Sequence, residues 1–366
     1  MKLECLREKL AEVVNKAEKI SSKSATLPIL KCILLDAKNN SLTIRSTNLD
    51  IGIELVIPAK VDEEGIVAIP GTTLNSFLTH LSNEKGVTFE LKEGNVYIST
   101  SKTSTIIKAY PPEEYPSIPQ IENSSTFTIP SEAFIRGLKS VWYSSATSSI
   151  KPELSSVRVY PNDDSLVFVA TDGFRLAEKR IKMKHLPDFS HILIPVKNAH
   201  EIIRVFEGVS TELSISIDKN QLTISTEGIY VVSRTVEGTF PDYKTIIPKE
   251  SSTEVVVLKQ DMVNVLKLST IFTDSFNHIK FLVHPQTKEI EIITKNKDIG
   301  ENSSRLTGAV TGDSIDINFN YRYISDSFQA IDSDSLCFYF NGVSKPMIIR
   351  GINDKSFLYL VMPMNK

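Results

Sequence analysis

The chain carries one pattern three times, at intervals of about 125 residues, which predicts similar modules in series, the alternative being the coincidences that an α+β chain of this size offers. An apolar pair four residues apart, which marks one face of a helix, falls at Leu10 and Val14, at Phe134 and Leu138, and at Met262 and Leu266. A threonine that closes a β-rich run and opens a polar turn stands at Thr47, Thr171 and Thr294, each followed by another strand candidate. An isoleucine leads into a second helix-like segment at Ile69, Ile194 and Ile317, where the sequence reads IPGTTLNSFLTHL, IPVKNAHEIIRVF and INFNYRYISDSFQAI. The landmarks keep one order, although few residues are identical between the copies.

At 366 residues and 41% hydrophobic, the chain exceeds one ordinary core and divides into three of roughly 120 residues each. Runs such as SLTIRST, VTFELKEGNVYIST and ELSISIDKNQLTISTEGIYVVSRTV alternate or are β-branched, and Asn and Gly turns break them into antiparallel hairpins. Two helices per module packed on such sheets predict an α+β class. The proline-rich Tyr110 to Ser125 and Thr239 to Ser252 lack periodicity and are predicted as extended connectors. They set domains at 1–122, 123–250 and 251–366.

Cys5, Cys32 and Cys337 are too few and too far apart for a disulfide framework or a metal knuckle. Glu4 and Glu8 stand where a signal peptide needs an apolar core, and no run approaches the ~20 apolar residues of a membrane span. A soluble cytoplasmic protein with no membrane partner is expected. Phosphate-loop, dinucleotide-loop and H-E-x-x-H patterns do not occur, and the six histidines lack metal-ligand spacing. The carboxylate pairs Asp163/Asp164 and Asp332/Asp334 lie in turn-like PNDDS and DSDS, where short polar side chains satisfy the backbone. Trp142 follows the helical pattern of the second module and reads as core. The expectation is no catalytic residue, no metal and no cofactor.

Three strings carry a resemblance: VATDGFRLAEKR (Val169 to Arg180), GTFPDYKTIIP (Gly238 to Pro248) and the closing LVMPMNK (Leu360 to Lys366). Together with TLPIL (Thr26 to Leu30) and STNLDIGIE (Ser46 to Glu54), they resemble the beta sliding clamp, the beta subunit of bacterial DNA polymerase III, over the whole chain. That family implies three similar domains of the DNA clamp fold. Two chains then form a closed head-to-tail ring, a homodimer with sheets outside and helices lining a central hole. The implied function is a sliding clamp, a non-catalytic processivity factor that encircles double-stranded DNA without sequence preference and tethers the polymerase. Its implied partners are the DNA polymerase III alpha subunit, the clamp loader, other polymerases and mismatch-repair proteins. A non-ring peptide-binding module is the alternative, and a hydrolase using a carboxylate pair rests on generic turns alone.

A net charge of −3 excludes a protein held to DNA by bulk attraction, which suits a ring retained by topology. Candidate DNA-facing cations on the helix segments are Lys9, Lys16, Lys23, Arg136, Lys139, Lys197, Arg204 and Lys267, each of which also reads as an ordinary solvated side chain. Lys197 and Arg204 best match basic positions of the family. The resemblance further implies a partner-peptide groove between the second and third domains. The matching residues are Leu154, Thr171, Gly173, Phe174, Arg175, Leu176, Pro241, Thr245, Ile246, Leu360, Val361, Met362, Pro363 and Met364. From the residues alone, Leu360 to Met364 also reads as the edge strand of a core. Phe174 stands where better-known clamps often carry His, Thr245 where some carry Arg, and Asn365 where a basic residue is common, so a more apolar pocket is expected. Ring closure in the family is apolar, which points to Ile106, Ile107 and Leu268, with Lys267 beside them making that face more polar.

Overall fold

The computed structural model describes residues 1–21, 27–81, 84–121, 125–218 and 220–364. Lys23, Thr26 and Asn365 therefore lie outside the described residues. The first run of elements is β1 (Lys2–Leu6), α1 (Arg7–Ile20), β2 (Cys32–Lys38), β3 (Ser41–Thr47), β4 (Ile51–Pro58), β5 (Lys60–Glu63), β6 (Gly65–Pro70), α2 (Gly71–His80), β7 (Gly86–Lys92), β8 (Asn95–Ser99) and β9 (Ser104–Lys108). The second is β10 (Ser125–Pro130), α3 (Ser131–Lys139), β11 (Ser156–Asn162), β12 (Ser165–Thr171), β13 (Arg175–Lys182), β14 (Ile192–Pro195), α4 (Val196–Phe206), β15 (Glu212–Asp218), β16 (Gln221–Thr226) and β17 (Ile229–Arg234). The third is β18 (Thr253–Leu258), α5 (Lys259–Ser269), β19 (His278–His284), β20 (Glu289–Asn296), β21 (Gly300–Thr307), β22 (Ala309–Gly312), β23 (Ile315–Asn320), α6 (Tyr321–Ser327), β24 (Ser335–Phe340), β25 (Met347–Gly351) and β26 (Phe357–Val361). Each run reads strand, helix, three strands, then strand, helix, three strands, with β5 and β22 as the extra pieces.

The landmarks explain why these elements form. Leu10 and Val14, Phe134 and Leu138, and Met262 and Leu266 are all buried, so the i, i+4 pair is the inner stripe of α1, α3 and α5. Ile69, Ile194 and Ile317 are buried in β6, β14 and β23, the strands that feed α2, α4 and α6. Strands covered on one face alternate, as in the buried Val87 and Phe89 of β7, whereas all seven residues of β12 are buried. On one face of β12, Phe168 lies so close to Gly137 of α3 that a Cβ there would sit 2.5 Å from the ring. On the other, Val167 and Val169 join a cluster with Phe240 and Tyr243 of the connector after β17.

The chain divides into two compact units, Met1–Ile135 with Lys197–Thr235, and Arg136–Val196 with Val236–Lys366. The first holds a five-stranded sheet, β5-β1-β7-β8-β9, and an eight-stranded one, β10-β15-β16-β17-β4-β3-β2-β6. The second holds a nine-stranded sheet, β14-β11-β12-β13-β26-β25-β24-β18-β22, and a four-stranded one, β21-β20-β19-β23. Among the described residues every strand pair is antiparallel, and two pairs join different runs: β4 with β17 and β13 with β26.

Two expectations are corrected. Thr294 does not open a turn: it is paired with Asn302 inside the β20–β21 ladder, because this hairpin is longer than its counterparts and bends only beyond Asn296. The connectors are not simply extended either, since each contains a 3-10 turn, Pro112–Glu114 and Tyr243–Ile246, and each buries a tyrosine, Tyr115 and Tyr243. Their prolines break periodicity without preventing packing. Asp163, Asp164, Asp332 and Asp334 do lie between elements, and no group of three potential metal ligands occurs among the described residues.

Candidate partner-binding groove

The turn from β12 to β13 builds one wall. Thr171 Oγ1 accepts from Gly173 N at 3.1 Å and donates to Arg175 O at 2.7 Å, while Asp172 Oδ1 accepts from Phe174 N and Arg175 N at 2.9 and 3.0 Å. Gly173 takes φ +91°, a conformation that costs a side-chain-bearing residue ~1–2 kcal/mol. With both polar side chains spent on backbone, the turn presents Phe174 outward, 63% exposed. The chain end then crosses this wall: β26 pairs with β13, with Leu360 opposite Leu176, and Met362 N donates to Phe174 O at 2.8 Å. Met364 N donates to Asn318 O at 2.8 Å, so Leu360 to Met364 is held by two neighbours rather than fraying.

The floor is apolar. Leu176 and Leu360 are buried in one cluster with Tyr160, Val169, Phe240, Tyr243, Ile348 and Leu358, against which Met362 and Ile247 pack. Tyr243 ties the connector to the sheet through hydrogen bonds from its hydroxyl to Glu178 and between the Tyr160 and Tyr243 hydroxyls at 2.7 Å. Burial first, and the Glu178 carboxylate second, push the Tyr243 phenol far above its ordinary value, so it stays a neutral donor. Pro241, Thr245 and Ile246 ride on this anchored segment and are exposed, with Thr245 Oγ1 donating to Asp242 O.

Not every predicted groove residue faces the cluster. Side chains on β26 alternate, so Val361 goes with Tyr359 to the opposite face from Leu360 and Met362. Arg175, paired with Val361, shares that opposite face: it stacks 4.6 Å from the Tyr323 ring and binds Asp172 Oδ2 at 2.9 Å and Asp326 Oδ2 at 2.6 Å. Burial works against its charge, but Tyr359, Asp326 and Asp172 outweigh it and hold the guanidinium above its ordinary value. Arg175 thus fastens α6 to the β12–β13 turn. Leu154 is half-buried in the loop whose carbonyl receives Ala146 N, apart from the cluster. Tyr160, Ile247, Ile348 and Leu358 are floor residues that the sequence reading missed, although strand alternation from Leu360 pointed to Leu358.

Lys9 and Lys16 lie on α1, Arg136 and Lys139 on α3, Lys197 and Arg204 on α4, and Lys267 on α5. Lys9, Arg136, Lys139, Lys197 and Lys267 are exposed, whereas Lys16 pairs with Glu12 at 3.2 Å and Arg204 with Glu201 at 2.8 Å. On the edge strand β9, Ile106 is 56% exposed but Ile107 is buried. Adjacent strand residues point to opposite faces, so Ile107 serves its own core and not an outer contact. Leu268 is exposed, and so are Ile271, in the 3-10 turn that follows α5 and contacts β21, and Ile299, just before β21, neither of which the sequence reading picked out.

Sequence models of the DNA polymerase III beta subunit match almost end to end: the N-terminal domain at residues 1–119, the central domain at 128–242 and the C-terminal domain at 244–365. The chain belongs to the DNA polymerase III beta subunit family. Beta sliding clamps of Bacillus subtilis and Synechococcus elongatus are 25% and 23% identical to it, over 100% of this chain and 99% of each relative. The solved sliding clamp of Bacillus subtilis, at 24% identity, superposes with a TM-score of 0.92 over 100% of this chain and 99% of that one. The beta subunit of Thermotoga maritima, also at 24%, gives 0.93 over the same shares. Like its family, the chain is a three-domain processivity clamp and has no catalytic role. No helix among the described residues is long and apolar enough to cross a membrane.

Proposed function

We propose that two copies of this chain close head to tail into a ring around duplex DNA in the cytoplasm, with domains at 1–122, 123–250 and 251–366. The ring holds the DNA polymerase III alpha subunit, and in turn the clamp loader, other polymerases and mismatch-repair proteins, through the groove floored by Leu176, Leu360 and Met362. The observation that carries the reading is the pairing of strands between runs. The third strand after the first helix of one run, β4 or β13, pairs with the last strand of the next run, β17 or β26. Their remaining counterparts, β21 and β9, end their sheets. Pairing β21 of one copy with β9 of another repeats the internal junction, and this heterologous contact closes the ring after two chains. Exposed Ile106 on one side and Leu268, Ile271 and Ile299 on the other supply apolar area for it.

Lys9, Lys16, Arg136, Lys139, Lys197, Arg204 and Lys267 would face the DNA through weak, sequence-independent contacts. A ring that slides is better served by topology than by tight phosphate binding, which a net charge of −3 does not favour in any case. The test is retention on nicked circular plasmid and release on linearisation. Ile106→Asp, at an exposed position, is expected to convert the dimer to monomer by light scattering and to abolish that retention. Equal dissociation of the parent protein from circular and linear DNA would sink the proposal.

A further inference from the structure

Beyond the groove, on the same sheet face, lies a polar cavity of about 430 Å³ lined by Asp163, Glu178, Arg180, Lys244, Arg350 and Lys355, with Ile247 and Leu358 as its apolar wall. Its two acids do not neutralise its four bases. Glu178 is already occupied, accepting from Arg180 Nε at 2.8 Å through one oxygen and from Tyr243 through the other, and exposed Asp163 accepts from Asn162 Nδ2 and lies 3.8 Å from Arg180. Arg350, Lys244 and Lys355 form no ion pair among the described residues, and the Nε of Arg350 is buried with no hydrogen-bond partner. A buried guanidinium N–H left unpaired is unfavourable, and with Lys244 and Lys355 beside it this arrangement suits an anionic acceptor.

We infer that this cavity receives the carboxylates of an acidic stretch flanking the apolar anchor of a peptide docked in the groove. The inference rests on the groove assignment and extends it. Continuity favours a peptide over other anions, because Ile247 and Leu358 belong to the same apolar cluster as Leu176, Leu360 and Met362. Leu358 lies two residues from Leu360 on β26, and Arg180 four residues from Leu176 on β13. Those separations are roughly 7 and 13 Å, which about two to four residues of extended peptide would span.

The probes are two fluorescent peptides with one Leu-Phe anchor, flanked on both sides by Asp-Ser-Asp in one and by Asn-Ser-Asn in the other. Both are titrated onto the full chain by anisotropy. The Asp peptide is expected to bind about tenfold more tightly at low salt, with the advantage shrinking as salt rises. Arg350→Gln, and independently the exposed double change Lys244→Gln with Lys355→Gln, should bring the two affinities together while leaving the Asn peptide unaffected. Equal binding of the two peptides to the parent protein, or a preference that survives both variants, overturns the inference and spares the groove. Binding of neither peptide overturns the groove reading and the inference with it. If a short DNA duplex displaces the Asp peptide while sparing the Asn peptide, the cavity is a phosphate site and the peptide assignment fails.

Discussion

The two internal strand junctions share one design and differ in what fills them. At β4–β17, Thr47 Oγ1 accepts from Leu49 N and donates to Ile51 O, and Asn48 Oδ1 accepts from Asp50 N and Ile51 N, which matches Thr171 and Asp172 bond for bond. Both junctions are crossed by a connector with a buried tyrosine, Tyr115 or Tyr243, followed three residues later by Ile118 or Ile246. In the first, Ile118 is buried and lies on Gly52 and Val232, which pair across the junction as Leu176 and Leu360 do in the second. In the second, Ile246 is 47% exposed, and Phe174 at the β12–β13 turn is 63% exposed. The first junction is plugged by its own connector while the second keeps Ile246 at the surface, a difference that supports the second as the docking place in the proposed function.

Breaking the plug gives the largest effect. Ile118→Ala should lower stability by about 2–4 kcal/mol through lost burial and an unfilled space, read as a shift of the denaturation midpoint, with peptide affinity unchanged. A loss smaller than 0.5 kcal/mol, the ordinary range of surface changes, would show that Ile118 plugs nothing. Phe174→Ala reverses the dissociation. Its side chain is exposed, so stability should hold, while affinity for an apolar-anchored peptide should fall about tenfold, or ~1.4 kcal/mol, in the same anisotropy assay.

Much of this contrast was legible in the chain, but unevenly. The helix stripes and the isoleucines before α2, α4 and α6 were readable because burial imposes a fixed period on each element. Thr47 and Thr171 were readable because a turn of that length needs a short side chain bonded to backbone. Thr294 misled because hairpin length is set by cross-strand register, which leaves no mark at the threonine itself. Val361 and Arg175 lie on the face away from the cluster, and Ile107 inside its own core, for a related reason: a matched string names neighbours in sequence, and on a strand neighbours face opposite ways. The cluster under the groove was missed in part because Tyr160 and Ile348 reach it through strand order, which no local pattern records.

The smallest effect sharpens the comparison most, because it asks whether the two turns are one device. Leu49 sits at φ 76° in the first turn, at the position where the second has Gly173 at φ +91°. A left-handed backbone costs a residue with a Cβ ~1–2 kcal/mol, against the roughly 0.5–1 kcal/mol that glycine loses through its freer unfolded chain. Leu49→Gly should therefore stabilise by several tenths of a kcal/mol up to about 1 kcal/mol, since the leucine side chain is 45% exposed and gives up little burial. Gly173→Ala should destabilise by about 1 kcal/mol, and purely through backbone strain, because a Cβ there meets nothing within 4 Å. Opposite signs of similar size in urea denaturation would mean that both turns carry the same strain, relieved by glycine only in the second. If the two changes act in the same direction, the turns are not equivalent, and the plug at Ile118 cannot be taken as the counterpart of the groove.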